Sequence, residues 1–266
     1  LREKGIVEHT LSHLKNTDLF KYSPYKTLTD DQLAVAKAIA HNIESLSAST
    51  IIVTGKPGTG KTILATYICK FLQEREKTRH LKVGLVVPMS SLRNTIGKVF
   101  SKIKGLRASM VIGPNDVAKQ DFDLLIVDEA HRLQRRKGIM GYGSYDQVNK
   151  KLGLPKEATQ LDWILNSSRY QIFFYDQNQS IKPADVRASD FQALKAHAYE
   201  LKSQMRVGAG DEFIEFVDTV FALRKPKRNK FQNYDFKVFD DIREMVAAIK
   251  QKDTEHKLAR VVSGYA

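Results

Sequence analysis

Apolar residues recur along this chain with two periods, and the switches between them lay out its elements. In TLTDDQLAVAKAIAHNI, Leu33, Ala36, Ala40 and Ile43 fall three or four residues apart, which predicts an amphipathic helix. Thr29, with Gln32 three residues on, forms a capping-box pattern at its start. TIIVTG is a short, β-branched apolar run and predicts a buried strand ending at Gly55. KTILATYICKFLQ returns to helical spacing through Leu64, Ala65, Ile68 and Leu72. Strand and helix then alternate. LKVGLVVP is a strand stopped by Pro88, and SSLRNTIGKVF is a helix with Leu92, Ile96, Val99 and Phe100 inward. ASMVIG and FDLLIVDEA read as strands, TQLDWILNS as a helix, and RYQIFFYD and AHAYEL as further strands. This alternation predicts βαβ units: an α/β fold with a mostly parallel sheet covered on both faces.

RRKGIMGYGSYDQVNKKLGLP breaks the alternation and reads as a surface loop carrying a short helix. After about residue 205 the pattern restarts. GDEFIEFVDTVFAL is a helix, RKPKRNK a basic linker, YDFKVF a strand, DDIREMVAAIKQK a helix and KLARVVSGY a strand.

Composition changes the picture in three respects. Of the 266 residues 42% are hydrophobic, enough for a sizeable core and against global disorder. No run approaches the ~18 apolar residues of a membrane span, so no membrane partner is expected. LREKGIVEHT lacks a signal-peptide core, and the single cysteine, Cys69, excludes an intramolecular disulfide. A cytoplasmic, reducing compartment is the expectation. Cys69 and Trp163 sit at helical apolar spacing and read as core. The formal charge of +13, from 43 Lys and Arg against 30 Asp and Glu, favours a polyanionic partner such as nucleic acid.

GKPGTGKT fits G-x-x-x-x-G-K-[ST] through Gly55, Gly60, Lys61 and Thr62, with Gly58 and Thr59 inside the curl. Glycines let backbone N–H groups turn inward onto phosphate oxygens, and the following helix adds its N-terminal dipole. Lys61 can reach the β- and γ-phosphates of ATP, and Thr62 can ligate Mg²⁺. In LLIVDEAH an apolar strand delivers Asp128 and Glu129 at its carboxyl end, where an open α/β sheet binds ligands. There Asp128 would hold Mg²⁺ through water, and Glu129 would orient and deprotonate an attacking water. His131 reads either as a link to a neighbouring strand or as a satisfied supporting histidine.

DEAHR, FFYDQNQSI and ELKSQMR, in this order after a P-loop, resemble superfamily 1 helicase motifs. The combination VDEAHRL, TQLDWIL, FFYDQNQSI, SQMR and ARVVSGYA resembles a family of bacterial proteins grouped with the helicase region of the long schlafen proteins. The resemblance runs from about Thr27 to the end. It implies that Gln32 reads adenine, a role that stands beside its capping role. Pro88, Ser90 and Arg93 fall where such enzymes touch single-stranded nucleic acid. Asp176 and Gln179 match a motif whose glutamine senses the γ-phosphate, and Arg206 matches an arginine that stabilises γ-phosphate charge. Tyr175 departs from the pattern, standing where helicases usually carry glycine, and the late motifs would lie beyond Ala266.

Two basic segments remain. One holds Arg132, Arg135, Arg136 and Lys137 beside Tyr142 and Tyr145; the other holds Lys225, Lys227, Arg228 and Lys230. Each reads as a phosphate-contact candidate or as a solvated charge run. The expectation is a RecA-like P-loop NTPase domain over residues 1–200 and the incomplete beginning of a second RecA-like domain over 201–266. The chain starts at Leu1 rather than methionine and is expected to continue past Ala266. The expected activity is ATP hydrolysis, with Mg²⁺, coupled to movement along or remodelling of single-stranded DNA or RNA. The alternative is an ATP-gated regulatory or defence module that switches conformation or assembly without unwinding.

Overall fold

A computed structural model describes residues 17–45, 49–180, 182–203, 210–227, 230–231, 234–257, 259 and 261–262. The chain divides into two compact units, Leu1–Arg206 and Val207–Ala266.

The first unit is built on six strands: β1 (Thr50–Gly55), β2 (Val83–Val86), β3 (Val111–Ile112), β4 (Phe122–Val127), β5 (Ser168–Tyr175) and β6 (His197–Leu201). They form one wholly parallel sheet in the order β3–β2–β4–β5–β1–β6. Its helices are α1 (Asp18–Tyr22), α2 (Asp30–Glu44), α3 (Lys61–Glu74), α4 (Ser90–Phe100), α5 (Tyr142–Lys151), α6 (Gln160–Asn166) and α7 (Ala188–Gln192).

The strands are apolar throughout because each face meets a core. Along β4, Leu124 and Ile126 enter one core while Leu125 and Val127 enter the other. Along β5, Ile172 and Phe174 face the first core, and Phe173 and Tyr175 the second. Ile39 of α2, Ile68 and Cys69 of α3 and Phe100 of α4 fill the first; Tyr145 of α5, Trp163 of α6 and Phe191 of α7 fill the second. Each fully buried Leu or Phe contributes ~1.5–3 kcal/mol. The Trp163 ring lies 4.4 Å from that of Tyr145, and its N–H donates to the Asn149 side chain.

α2 begins as its sequence predicts. Gln32 N donates to Thr29 Oγ1 at 3.4 Å, and Thr29 N to Gln32 Oε1 at 3.1 Å. β1 and β4 are separated only by β5, so the loops after all three open on the same edge of the sheet.

Several elements differ from expectation. ASMVIG supplies only the two residues of β3, because a 3₁₀ turn precedes it (Ala108–Met110) and Pro114 opens another straight after Gly113. The glycine-rich stretch is less of a loop than its composition suggests: α5 buries Tyr145 and Asn149. In the second unit, α8 (Gly210–Phe221) and α9 (Ile242–His256) form as predicted. YDFKVF does not become a strand. Tyr234 makes a lone bridge to Phe231, and the rings of Tyr234 and Phe236 pack on Phe213 and Phe216 at 4.7 and 5.2 Å. Aromatic packing on a helix takes the place of a ladder. In KLARVVSGY the described residues carry no strand either, and the others lie outside the described set.

Candidate functional site

The loop between β1 and α3 curls as a phosphate-binding sequence requires. Gly58 and Gly60 have φ of 90° and 79°, in the left-handed region that favours glycine. At Gly55 a Cβ would stand 2.6 Å from Thr59 Oγ1, so only glycine fits there. Thr59 Oγ1 donates to Lys56 O at 2.9 Å, closing the curl. Lys61 is buried, and its Nζ donates to Gly55 O at 2.6 Å and Lys56 O at 3.2 Å. Gln32, fully buried, completes its capping box and sends its amide to Thr59 O at 2.8 Å. Its carboxamide therefore fastens the start of α2 to the loop.

Opposite lies the end of β4. Asp128 is 1% exposed, and neither carboxylate oxygen has a hydrogen-bond partner. Burial, then the charge of Glu129, pushes its pKa up to about 7; Thr62 and Lys61 offset part of this, without closing a hydrogen bond to either oxygen. Glu129 has φ 52°, a left-handed conformation that costs a non-glycine residue ~1–3 kcal/mol. Its Oε2 lies 3.0 Å from Nε2 of the fully buried His131. Burial alone would raise the Glu129 pKa, but contact with His131 and the charges of Lys61 and Arg132 outweigh it and hold the carboxyl below its ordinary range.

From the end of β5 comes Asp176, 5% exposed, with Oδ2 3.5 Å from Lys61 Nζ and accepting from Gln179 Nε2 at 2.7 Å. Asp176 thus joins the P-loop lysine to Gln179. Gly58, Gly60, Lys61, Thr62, Glu129 and Gln179 line one open cleft of ≈ 450 Å³. A buried carboxylate with two open oxygens beside a threonine hydroxyl suits a hard divalent cation that keeps several waters, so the residues present fit Mg²⁺. Among the described residues there is no cluster of three or more His, Cys, Asp or Glu that could cage a metal by itself.

The same cleft is also lined by Lys21, Tyr22, Lys26 and Leu92, which no sequence pattern singled out. α1 is five residues long and shows no apolar period; its only signal is the Thr17 cap, whose hydroxyl accepts from Phe20 N. Pro88, Ser90 and Arg93 lie where β2 passes into α4, and none of them lines the cleft. Ser90 is exposed, while the Arg93 guanidinium braces the strand end by donating to Val87 O at 2.9 Å. Arg206 lies outside the described residues, as does Arg228. Arg135 donates through Nη2 to Pro183 O at 2.7 Å, and Arg136 pairs with Asp146 and stands 4.7 Å over the Tyr142 ring. Tyr145 is core, its hydroxyl donating to Gln134 O. Lys225, Lys227 and Lys230 are exposed in the second unit.

A parallel sheet with a P-loop after β1 and an acidic pair after β4, one strand apart, is the architecture of a RecA-like P-loop fold. Residues 48–266 match the family described as schlafen group 3, DNA/RNA helicase domain, and the chain belongs to that family. It is similar to the uncharacterized protein YPL245W of Saccharomyces cerevisiae (strain ATCC 204508 / S288c), 25% identical over 255 residues, which covers 80% of this chain and 54% of that protein. The chain thus spans about half the length of that relative. Among solved structures, Pif1 helicase from Candida albicans matches 90% of this chain and 56% of its own, at 14% identity and a TM-score of 0.43. Bacteroides Pif1 bound to ssDNA matches 73% and 46%, at 15% and 0.39. AMPPCP-bound DnaA from Aquifex aeolicus matches 93% and 68%, at 15% and 0.37. These likenesses are loose. Among the described residues no helix is long and apolar enough to cross a membrane.

Proposed function

We propose that this chain is the nucleotide-binding part of an ATP-driven motor of helicase type that acts on single-stranded DNA or RNA. The observation that carries the reading is Asp128: a carboxylate buried at a cost, with both oxygens open, beside a lysine-bearing phosphate loop. A cation arriving beside such a group would offset the cost of its burial. Gly55, Gly58, Thr59, Gly60 and Lys61 of the loop hold the phosphates of ATP, and Tyr22 and Leu92, which line the same cleft as Gly58, Gly60 and Lys61, offer apolar faces to the base. Thr62 and Asp128 would hold Mg²⁺, which when bound offsets the charge developing on the phosphate oxygens. Glu129, kept ionised by His131 and Lys61, accepts the proton of the attacking water. Gln179, anchored on Asp176, senses the γ-phosphate. For Gln32 the geometry favours a brace between α2 and the loop over a direct contact with adenine.

The role of Arg206 at the γ-phosphate, and of residues 201–266 as the start of a second RecA-like domain, rests on motif resemblance alone. The nucleic-acid partner is supported by the family's description and by the charge of +13. The test is ATP hydrolysis with and without single-stranded DNA or RNA, in the parent and in Glu129→Gln. Stimulated turnover in the parent and binding without turnover in the variant are expected; equal turnover in both overturns the role of Glu129.

A further inference from the structure

Beyond the phosphate cleft, the segments that leave Glu129 and Gln179 run together. Val186 N donates to Leu133 O at 2.8 Å and Arg135 N to Ala184 O at 2.8 Å, with an antiparallel bridge between Gln134 and Asp185. Leu133 and Val186 are fully buried, so this two-stranded ribbon is anchored in the second core. At its end opens a separate cleft of ≈ 370 Å³, lined by Arg135, Arg136, Lys137 and Arg187 together with Glu157 and Asp190.

The four cations are not alike. Arg135 is engaged by Pro183 O, and Arg136 by the Asp146 pair and the face of Tyr142, so both guanidinium forks are already occupied. Lys137 and Arg187 are exposed, and among the described residues neither side chain has an ion-pair partner. Asp190 is occupied in accepting from Arg187 N at 3.2 Å. The cleft therefore offers a ligand the charges of Lys137 and Arg187, interleaved with carboxylates. Interleaved acids disfavour a compact, multiply charged anion and tolerate phosphates that carry one charge each at regular spacing.

We propose that this cleft binds the phosphodiester backbone of single-stranded nucleic acid and communicates with the phosphate cleft through the paired segments 133–135 and 184–186. The proposal rests on the motor reading above and adds to it where the strand lies. A strand seated here pulls on the two segments whose other ends carry the water-facing carboxylate and the γ-phosphate glutamine.

The test is the double variant Lys137→Glu/Arg187→Glu in the full chain, with labelled single-stranded DNA and RNA followed by fluorescence anisotropy over a range of salt. Affinity at low salt should fall at least ~10-fold, and the slope of log K against log salt should flatten by about 1.4, as two phosphate contacts to a single strand are lost. Basal ATPase, measured without nucleic acid, should stay at the parental rate while stimulation is lost. Unchanged affinity and slope overturn the proposal, as does displacement of the oligonucleotide by polyglutamate as readily as by unlabelled strand, which would reassign the cleft to acidic protein. A parent that binds strand through this cleft yet hydrolyses no ATP leaves the cleft standing and overturns the motor reading instead.

Discussion

Replacing Asp128 by asparagine removes the charge that burial disfavours while keeping the shape of the side chain. Burial lifts the carboxyl from its ordinary 3.8 to about 7. At ~1.4 kcal/mol per tenfold change in proton affinity, this sets a ceiling of ~4 kcal/mol on what the ionised group costs the fold above neutrality. The asparagine amide inherits a place without hydrogen-bond partners, which costs ~1–3 kcal/mol. The net expectation is a gain of at most ~1–3 kcal/mol in chelator, or about 2–12 °C in Tm. The sign follows from the raised pKa: the folded state holds this proton more tightly than the unfolded chain. The parent's penalty is thus small below pH ~4, grows as pH rises towards 7 and levels off above. Thermal melts of parent and Asp128→Asn in EDTA should therefore diverge across that window and stay apart at pH 8. Adding magnesium and ATP should raise the parent's Tm more than the variant's, which loses one cation ligand but keeps the phosphate loop. A variant less stable than the parent at pH 8 in chelator, or a difference independent of pH, would mean that Asp128 is not destabilised by its burial.

Other expectations follow from single groups. Lys61→Ala should weaken ATP binding by ~2–3 kcal/mol in calorimetry, through loss of a charge-assisted phosphate contact. Glu129→Gln should retain nucleotide affinity and lose hydrolysis by ~10²–10⁴-fold in a phosphate-release assay. Asp31 accepts from Lys202 N and Ser203 N at 3.0 and 3.1 Å, and hydrogen bonds hold its carboxyl well below the usual range despite partial burial. Asp31→Ala should therefore cost ~2 kcal/mol by urea titration near neutrality, and less as pH falls below the carboxyl's unfolded value. Asn149→Ala should cost ~1–3 kcal/mol by orphaning the Trp163 N–H, visible in the emission of the single tryptophan.

The sheet and the phosphate site were legible for one reason: both are written in short local runs. Six β-branched or apolar stretches of the first unit became strands, and glycine spacing alone predicted the turn before α3. Long-range choices were not legible. Tyr234, Phe236 and Val238 alternate like a strand, but alternation does not say whether a partner strand or a helix face receives the rings. Arg93 and Arg136 look like free cations in a sequence and are spent on Val87 O and Asp146. A short helix was expected in the glycine-rich stretch, but no spacing there said that Tyr145 would turn into the core. The capping-box reading of Gln32 proved to be geometric fact, and its reach to Thr59 depended on a tertiary contact that no spacing reveals.

The register of β1 bears on how the chain is made. Thr50 Oγ1 donates to a Gln171 oxygen 121 residues on, and Thr54 Oγ1 to Tyr199 O 145 residues on. Both neighbours of β1 therefore leave the ribosome long after it does. Until then the nascent chain shows a bare apolar strand with both edges unpaired, a species prone to misassociation and suited to chaperone capture. Nucleotide cannot rescue that intermediate, because the loop that would grip it has no strand beside it to hold its curl. The phosphate loop is among the first parts of the site to be synthesised and among the last to acquire its shape.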